Sequence, residues 1–169
     1  MKETDSDVFL FDVDTSGASL VSKSSDGTQA NKASSQPVIS SDGNLIAFVT
    51  KASNILPDEG NSNSDIYVHN RSTGQTTAIS DGLPEKSTNN YGINYQFVNI
   101  SDDGSKVVFA SVAPYNHSHI FLYDVGTGTR EELGFTVYPM RSLALSADGS
   151  TAVYTWGFSS SVAYPNATS

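Results

Sequence analysis

The chain has 169 residues, no cysteine, and 18 acidic against 9 basic side chains, for a net charge of −9. This length suits one domain with a real core, the missing thiols exclude disulfides and thiolate metal sites, and the acidity disfavours nucleic acid and anionic membrane surfaces as partners. No apolar stretch approaches the roughly 20 residues that span a bilayer, and the start Met1-Lys2-Glu3-Thr4-Asp5 lacks the apolar run of a signal peptide. The expectation is either a cytoplasmic chain or a leader lying outside this sequence.

The first element is DVFLFDVDTSGASLVS (7–22), an aromatic and β-branched strand, a turn at Gly17 and a second strand. After a polar segment comes ISSDGNLIAFVT (39–50), a short strand, an Asp42-Gly43 turn and a more apolar strand. A long segment, 51–64, leads to DIYVHNRSTGQTTAIS (65–80), which repeats the first element with Gly74 at its turn. A second long segment, 81–96, precedes ISDDGSKVVFAS (100–111), which repeats the Asp-Gly element at Asp103-Gly104. Then follow HIFLYDVGTGTREEL (119–133), turning at Gly128, and LSADGSTAVYTW (145–156), turning at Asp148-Gly149. Asp-Gly between apolar runs signals a hairpin, because glycine takes the positive φ of a tight turn. Val, Ile, Phe and Tyr suit a pleated, half-buried surface, and no long segment shows helical spacing.

Two half-motifs therefore recur, each three times. Internal repetition of this kind defines the fold. With strands lettered A to D from the axis outward, the order is CD-ABCD-ABCD-AB. The expected fold is an all-β propeller with three blades' worth of four-stranded antiparallel sheets in a single domain, 1–169. Loops vary in length on a constant frame, as in repeat proteins that carry function on one face.

The spacing "IS-x-DG-x-x-IAF" followed by "S-DIYV" and "TG-x-T" resembles the TolB-like, WD-type propeller repeats of bacterial exported and periplasmic proteins, most closely over Gln29–Ser80. The resemblance covers the chain from about residue 7. It implies a periplasmic or extracellular setting and action through protein contacts. His119, in place of the Asp of "DIYV", departs from the pattern.

The two ends fall at one phase of the repeat. SVAYPNATS (161–169) aligns with SVAPYNHS (111–118), and Ser6-Asp7 aligns with Ser64-Asp65. Strand B at 151–156 then lacks a C neighbour, and strand C at 8–13 lacks a B neighbour. Such edges pair readily. Propellers have about 4–8 blades, so two copies would close a six-bladed ring. A homodimer through composite blades is the expectation; the other account is a fragment of a longer chain.

Several residues could carry chemistry. Asp58, Asn61, Asn63 and Asp65, with Glu59 and Gly60, cluster oxygen donors as calcium loops do, but no glutamate stands where an EF-hand places its bidentate ligand. The plainer reading is a polar surface loop in which Asp65 bonds backbone amides beside strand C. His117 and His119 share a strand face but lack the third ligand zinc needs. His69 reads as an ordinary strand residue. Asp12, Asp14 and Asp124 sit where turns favour Asp. Gly157-Phe158-Ser159 lacks the second glycine of a nucleophile elbow. The Asn-x-Ser/Thr triplets at Asn70, Asn99, Asn116 and Asn166 carry no weight. Tyr91, Tyr95, Tyr138 and Trp156 read as loop aromatics that either bind ligands or plug loops onto the blades.

Two functions stay open. The first is a non-enzymatic binding or scaffolding module for protein or peptide partners. The second is a glycan-binding, small-molecule-binding or hydrolytic propeller with a site at the channel, near Ser40, Asn99, Ser101 and Ser146 and loops 23–36 and 81–96. The Ser, Asn and small apolar residues of the A strands favour the first, because acid–base catalysis needs titratable groups in reach.

Overall fold

The computed structural model describes residues 5–56, 63–81, 94–112, 118–136 and 140–157. Within them the chain forms twelve strands and no helix. A first hairpin, β1 (Phe9–Asp12) and β2 (Gly17–Leu20), is followed by a four-stranded sheet of β3 (Ser34–Ile39), β4 (Leu45–Thr50), β5 (Asp65–Asn70) and β6 (Thr76–Ala78). A second four-stranded sheet holds β7 (Asn94–Ile100), β8 (Lys106–Val112), β9 (Ser118–Asp124) and β10 (Thr129–Thr136). The last hairpin is β11 (Met140–Leu145) and β12 (Ala152–Trp156). Every pairing is antiparallel between consecutive strands. The order is CD-ABCD-ABCD-AB, as the repeats require.

The Asp-Gly turns form for a local reason. Ser40 Oγ donates to Asp42 Oδ1 at 2.5 Å, the same oxygen accepts the Asn44 amide at 2.9 Å, and the Gly43 amide closes on the Ser40 carbonyl. The same bonds recur at Ser101-Asp103-Ser105 and Ser146-Asp148-Ser150. Gly43, Gly104 and Gly149 sit near φ +70°, where a side chain would be strained. Ser24-Ser25-Asp26-Gly27 builds a fourth such turn between β2 and β3, which the repeat pattern does not reveal because it lies outside the A–B hairpins.

Strands β4, β5 and β8 are buried on both faces, which explains their unbroken apolar runs. Ile46, Phe48 and Tyr67 pack against Val8 and Val21 of the first hairpin. Ala47, Val49, Ile66 and Val68 point the other way, onto Tyr95, Ile100, Val107 and Phe109. Val108, Ala110 and Ile120 meet Met140, Leu143 and Leu145 of the last hairpin. The core therefore lies between sheets, blade against blade.

The A strands begin earlier than the repeat motif suggests: β3, β7 and β11 start at Ser34, Asn94 and Met140. Their sequences differ because each is broken by a bulge. Gln36 and Phe97, in the bulges of β3 and β7, have φ of 52° and 56°. Gln36 Oε1 accepts the Phe97 amide at 3.0 Å and so ties the two bulges together. Pro37 is tolerated because β3 is an edge strand of its sheet.

Candidate functional site

A groove of about 620 Å³ lies between β1 and the β3–β4 hairpin, lined among others by Phe9, Phe11, Val13, Pro37, Ile39 and Ile46. Among the described residues β1 pairs with β2 alone, so its other edge carries no strand. The repeat explains the groove, because matched positions differ only in having a neighbour. Ile39 is 51 % exposed, whereas its counterpart Ile100 is 7 % exposed. Phe9 is 63 % exposed, whereas its counterparts Tyr67 and Phe121 are 0 % and 8 % exposed. At the far end of the chain, Tyr154 and Val153 of β12 are 42 % and 62 % exposed, while Phe48, Phe109, Ala47 and Val108 at the matched places are sealed at 0 %. Burying one such side chain is worth roughly 1.5–3 kcal/mol.

At one end of the groove the A–B turns form a hydrogen-bonded series. The Ser41 amide donates to the Asp102 carbonyl at 2.7 Å, and the Asp102 amide donates to the Ala147 carbonyl at 2.8 Å. Each turn glycine nests on the sheet before it. A Cβ on Gly104 would lie 2.7 Å from Leu45 Cδ1, and one on Gly149 would lie 2.8 Å from Lys106 Cγ. Gly43 has no such neighbour; the nearest atoms are Arg71 Nη1 and Ile39 Cδ1, beside its own hairpin.

The turn carboxylates are committed to their turns. Hydrogen bonds, chiefly from Ser24 and Ser146, lower Asp26 and Asp148 to about 2. Asp42 and Asp103 are also lowered, by the Ser40 hydroxyl and the Ser105 amide foremost. Asp124 falls to about 2 through its bond to Lys106 and the Thr127 amide. Asp12 is lowered by the Thr15 amide and hydroxyl. These are turn-stabilising groups, which agrees with the structural reading of Asp12 and Asp124. Ser40 and Ser101 are buried within the turns and follow the ends of the A strands, so they do not gather at the strand starts as the channel-site reading requires.

The calcium candidates divide. Asp58 and Asn61 lie outside the described residues, and Asn63 is half-buried. Asp65 is buried, and its Oδ1 accepts the Ser80 hydroxyl at 3.0 Å, while Ser80 Oγ accepts the Ile66 amide at 3.0 Å. Asp7 repeats this clamp through Ser22 and the Val8 amide. One partner of Asp65 is thus a serine just past strand D. Sequence alone does not show this, because the two residues are joined only across the hairpin.

The aromatics divide as well. Tyr91 and Tyr138 lie outside the described residues. Tyr95 is corrected from a loop residue to a core residue. It sits on β7, buried, with its ring edge-on to Phe109 at 5.8 Å. The strand starts before the apolar pattern becomes regular, which is why the spacing misplaces it. Trp156 is the last residue of β12 and half-exposed.

Of the histidines, His117 lies outside the described residues. His119 Nδ1 is 2.8 Å from Glu132 Oε1, and its ring stacks between Phe121 and Phe135. His69 is buried, and burial lowers its pKa. Its Nδ1 donates to Thr76 Oγ1 at 2.9 Å, because the Thr76 hydroxyl is itself spent on the Lys23 carbonyl. Among the described residues no three His, Cys, Asp or Glu side chains gather as metal ligands, and no helix is long and apolar enough to cross a membrane.

No protein family's sequence model matches the chain, and no curated protein does. Solved structures do. The chain is similar to TolB from Acinetobacter baumannii, at 23 % identity and a TM-score of 0.58, over 92 % of this chain and 33 % of that one. It is similar to an oligogalacturonate lyase in complex with manganese, at 16 % identity and a TM-score of 0.62, over 90 % of this chain and 36 % of that one. The β-propeller domain of the trilobed protease from Pyrococcus furiosus, described as having an open velcro topology, matches at 19 % identity and a TM-score of 0.53, over 72 % of this chain and 32 % of that one. The chain spans about a third of the length of these structures. Sheets, blade packing and neighbours agree on one conclusion: the fold is a partial β-propeller.

Proposed function

We propose that the chain is a non-enzymatic propeller module that binds protein partners by strand pairing, and that two copies close a six-bladed ring. One observation carries this reading: the groove beside β1 exposes apolar side chains whose counterparts in the complete sheets are buried. An unpaired strand edge over an apolar floor is a site for an added β-strand. The described carboxylates of the turns are occupied by local donors, which supports binding over acid–base chemistry. The sequence resemblance to TolB-like, WD-type repeats supports a protein or peptide partner and a periplasmic or extracellular setting.

Light scattering at micromolar concentration tests the ring. A mass twice that of the chain is expected, and Phe11→Asp, on the exposed face of β1, should return it to one chain. A single-chain mass for the unaltered protein counts against ring closure. Calcium at Asp58, Asn61, Asn63 and Asp65 is a separate proposal. A rise in Tm with millimolar calcium supports it, and no shift removes it, since a ligand that binds only the folded state must stabilise it.

A further inference from the structure

The repeats supply a template for how the groove is filled. In the first complete sheet β4 pairs with β5 so that Phe48 lies opposite Tyr67, and their rings stack at 6.0 Å. In the second, β8 pairs with β9 so that Phe109 lies opposite Phe121, stacked at 5.5 Å. Tyr154 occupies the place of Phe48 and Phe109, and Phe9 occupies that of Tyr67 and Phe121. Both are exposed, on the two strands that lack this partner among the described residues.

We infer that the occupant of the groove is the β11–β12 hairpin of a second copy, with β12 antiparallel to β1 in the register that sets Tyr154 opposite Phe9. This rests on the ring reading above and adds the contacts that would make it. The register places Ala152 opposite Phe11, Val153 opposite Leu10 and Trp156 opposite Asp7.

Three features of the repeat give the same seating. Val153 matches Ala47, which packs with Ile100 and Val107 of the following sheet. In the composite blade the positions matching those two are Ile39 and Ile46, both on the groove wall. Gly104 nests on Ser40 and Leu45, and Gly149 nests on Ser101 and Lys106. By the same rule Gly43, which has no A–B hairpin before it among the described residues, receives Ser146 and Thr151 of the second copy. The turn series runs from the Ser41 amide to Asp102 and from the Asp102 amide to Ala147. Its continuation is the Ala147 amide of the second copy on the Ser41 carbonyl. An isologous pairing uses the β1 edge and the β12 edge of each copy once.

The chain has no cysteine and one tryptophan, which makes the test clean. Residues opposite each other on antiparallel strands lie within disulfide range. The variant carrying Phe9→Cys and Tyr154→Cys is expected to run at twice the chain mass on a non-reducing denaturing gel after mild oxidation. The one-residue slip, Phe9→Cys with Thr155→Cys, is expected not to. As a measurement on the unaltered protein, Trp156 emission should shift to the red on dilution, as the edge is uncovered. A doubled mass in solution without the Phe9–Tyr154 cross-link, or with equal linking by the slipped pair, overturns this register and leaves the ring reading standing. A single-chain mass with Trp156 emission independent of concentration overturns both.

Discussion

The complete sheet β7–β10 and the two separate hairpins, β11–β12 and β1–β2, share the same motifs in opposite environments. Phe109 and Phe121 stack on each other in the interior, while Tyr154 and Phe9 are exposed. The local structure is alike: the same turn, the same antiparallel hairpin and the same Ser-Asp bond. The difference teaches that hairpin formation here depends on nearby residues, whereas burial depends on having a sheet on each side.

The sharpest way to break the comparison is to truncate matched aromatics. Phe109→Ala removes a sealed ring and should lower unfolding stability by about 3–5 kcal/mol. Tyr154→Ala should cost only about 0.5 kcal/mol in the dissociated chain, as exposed positions do, while weakening association. Urea unfolding at low protein concentration reads the first, and light scattering the second. Equal costs in the dissociated chain would mean that Tyr154 is already packed within one copy.

The turn glycines sharpen the comparison further. Gly104→Ala forces a left-handed residue, at about 1–2 kcal/mol, and also crowds Leu45 and Ser40. Gly27→Ala at φ +90° meets nothing within 4 Å and should cost only the backbone term. Thermal unfolding should therefore rank Gly104→Ala below Gly27→Ala in Tm. The reverse order would show that the nesting of one turn on the next sheet contributes nothing.

Smaller effects should follow at the turn serines. Ser101 is buried and accepts the Lys106 amide at 3.0 Å, so Ser101→Ala strands that amide and should cost about 1–3 kcal/mol. Ser146 makes the same bond to Thr151 at 2.9 Å on an exposed hairpin, where water replaces it, and Ser146→Ala should cost about 0.5 kcal/mol. Asp148 is held at about 2, so its folded form binds fewer protons than its unfolded form in acid. Stability is then greatest above the ordinary carboxylate range and is lost as pH falls through it toward about 2. Urea midpoints measured across that range check the sign, and NMR titration of Ser146→Ala should show Asp148 moving back up.

Much of this architecture was legible in the chain. Asp42-Gly43, Asp103-Gly104 and Asp148-Gly149 mark hairpins because a turn's chemistry lies within five residues. Runs such as LIAFVT mark strands covered on both faces. The A strands were harder, since bulges at Gln36 and Phe97 break the alternation on which strand recognition depends. That is why Tyr95 looked like a loop aromatic and proved to be core. The Asp65–Ser80 clamp was also hidden, because a bond across a hairpin leaves no spacing signature.

By itself, then, the sequence determined the repeat, its phase and the pairing order of the strands, because these follow from turn chemistry and apolar runs within single hairpins. Only the tertiary structure decided which face of each strand is sealed, that Asp65 accepts a serine hydroxyl, and that Phe9, Ile39 and Tyr154 are left uncovered. Burial is a property of what lies on the other side of a side chain, and in a ring of blades that neighbour is always another sheet.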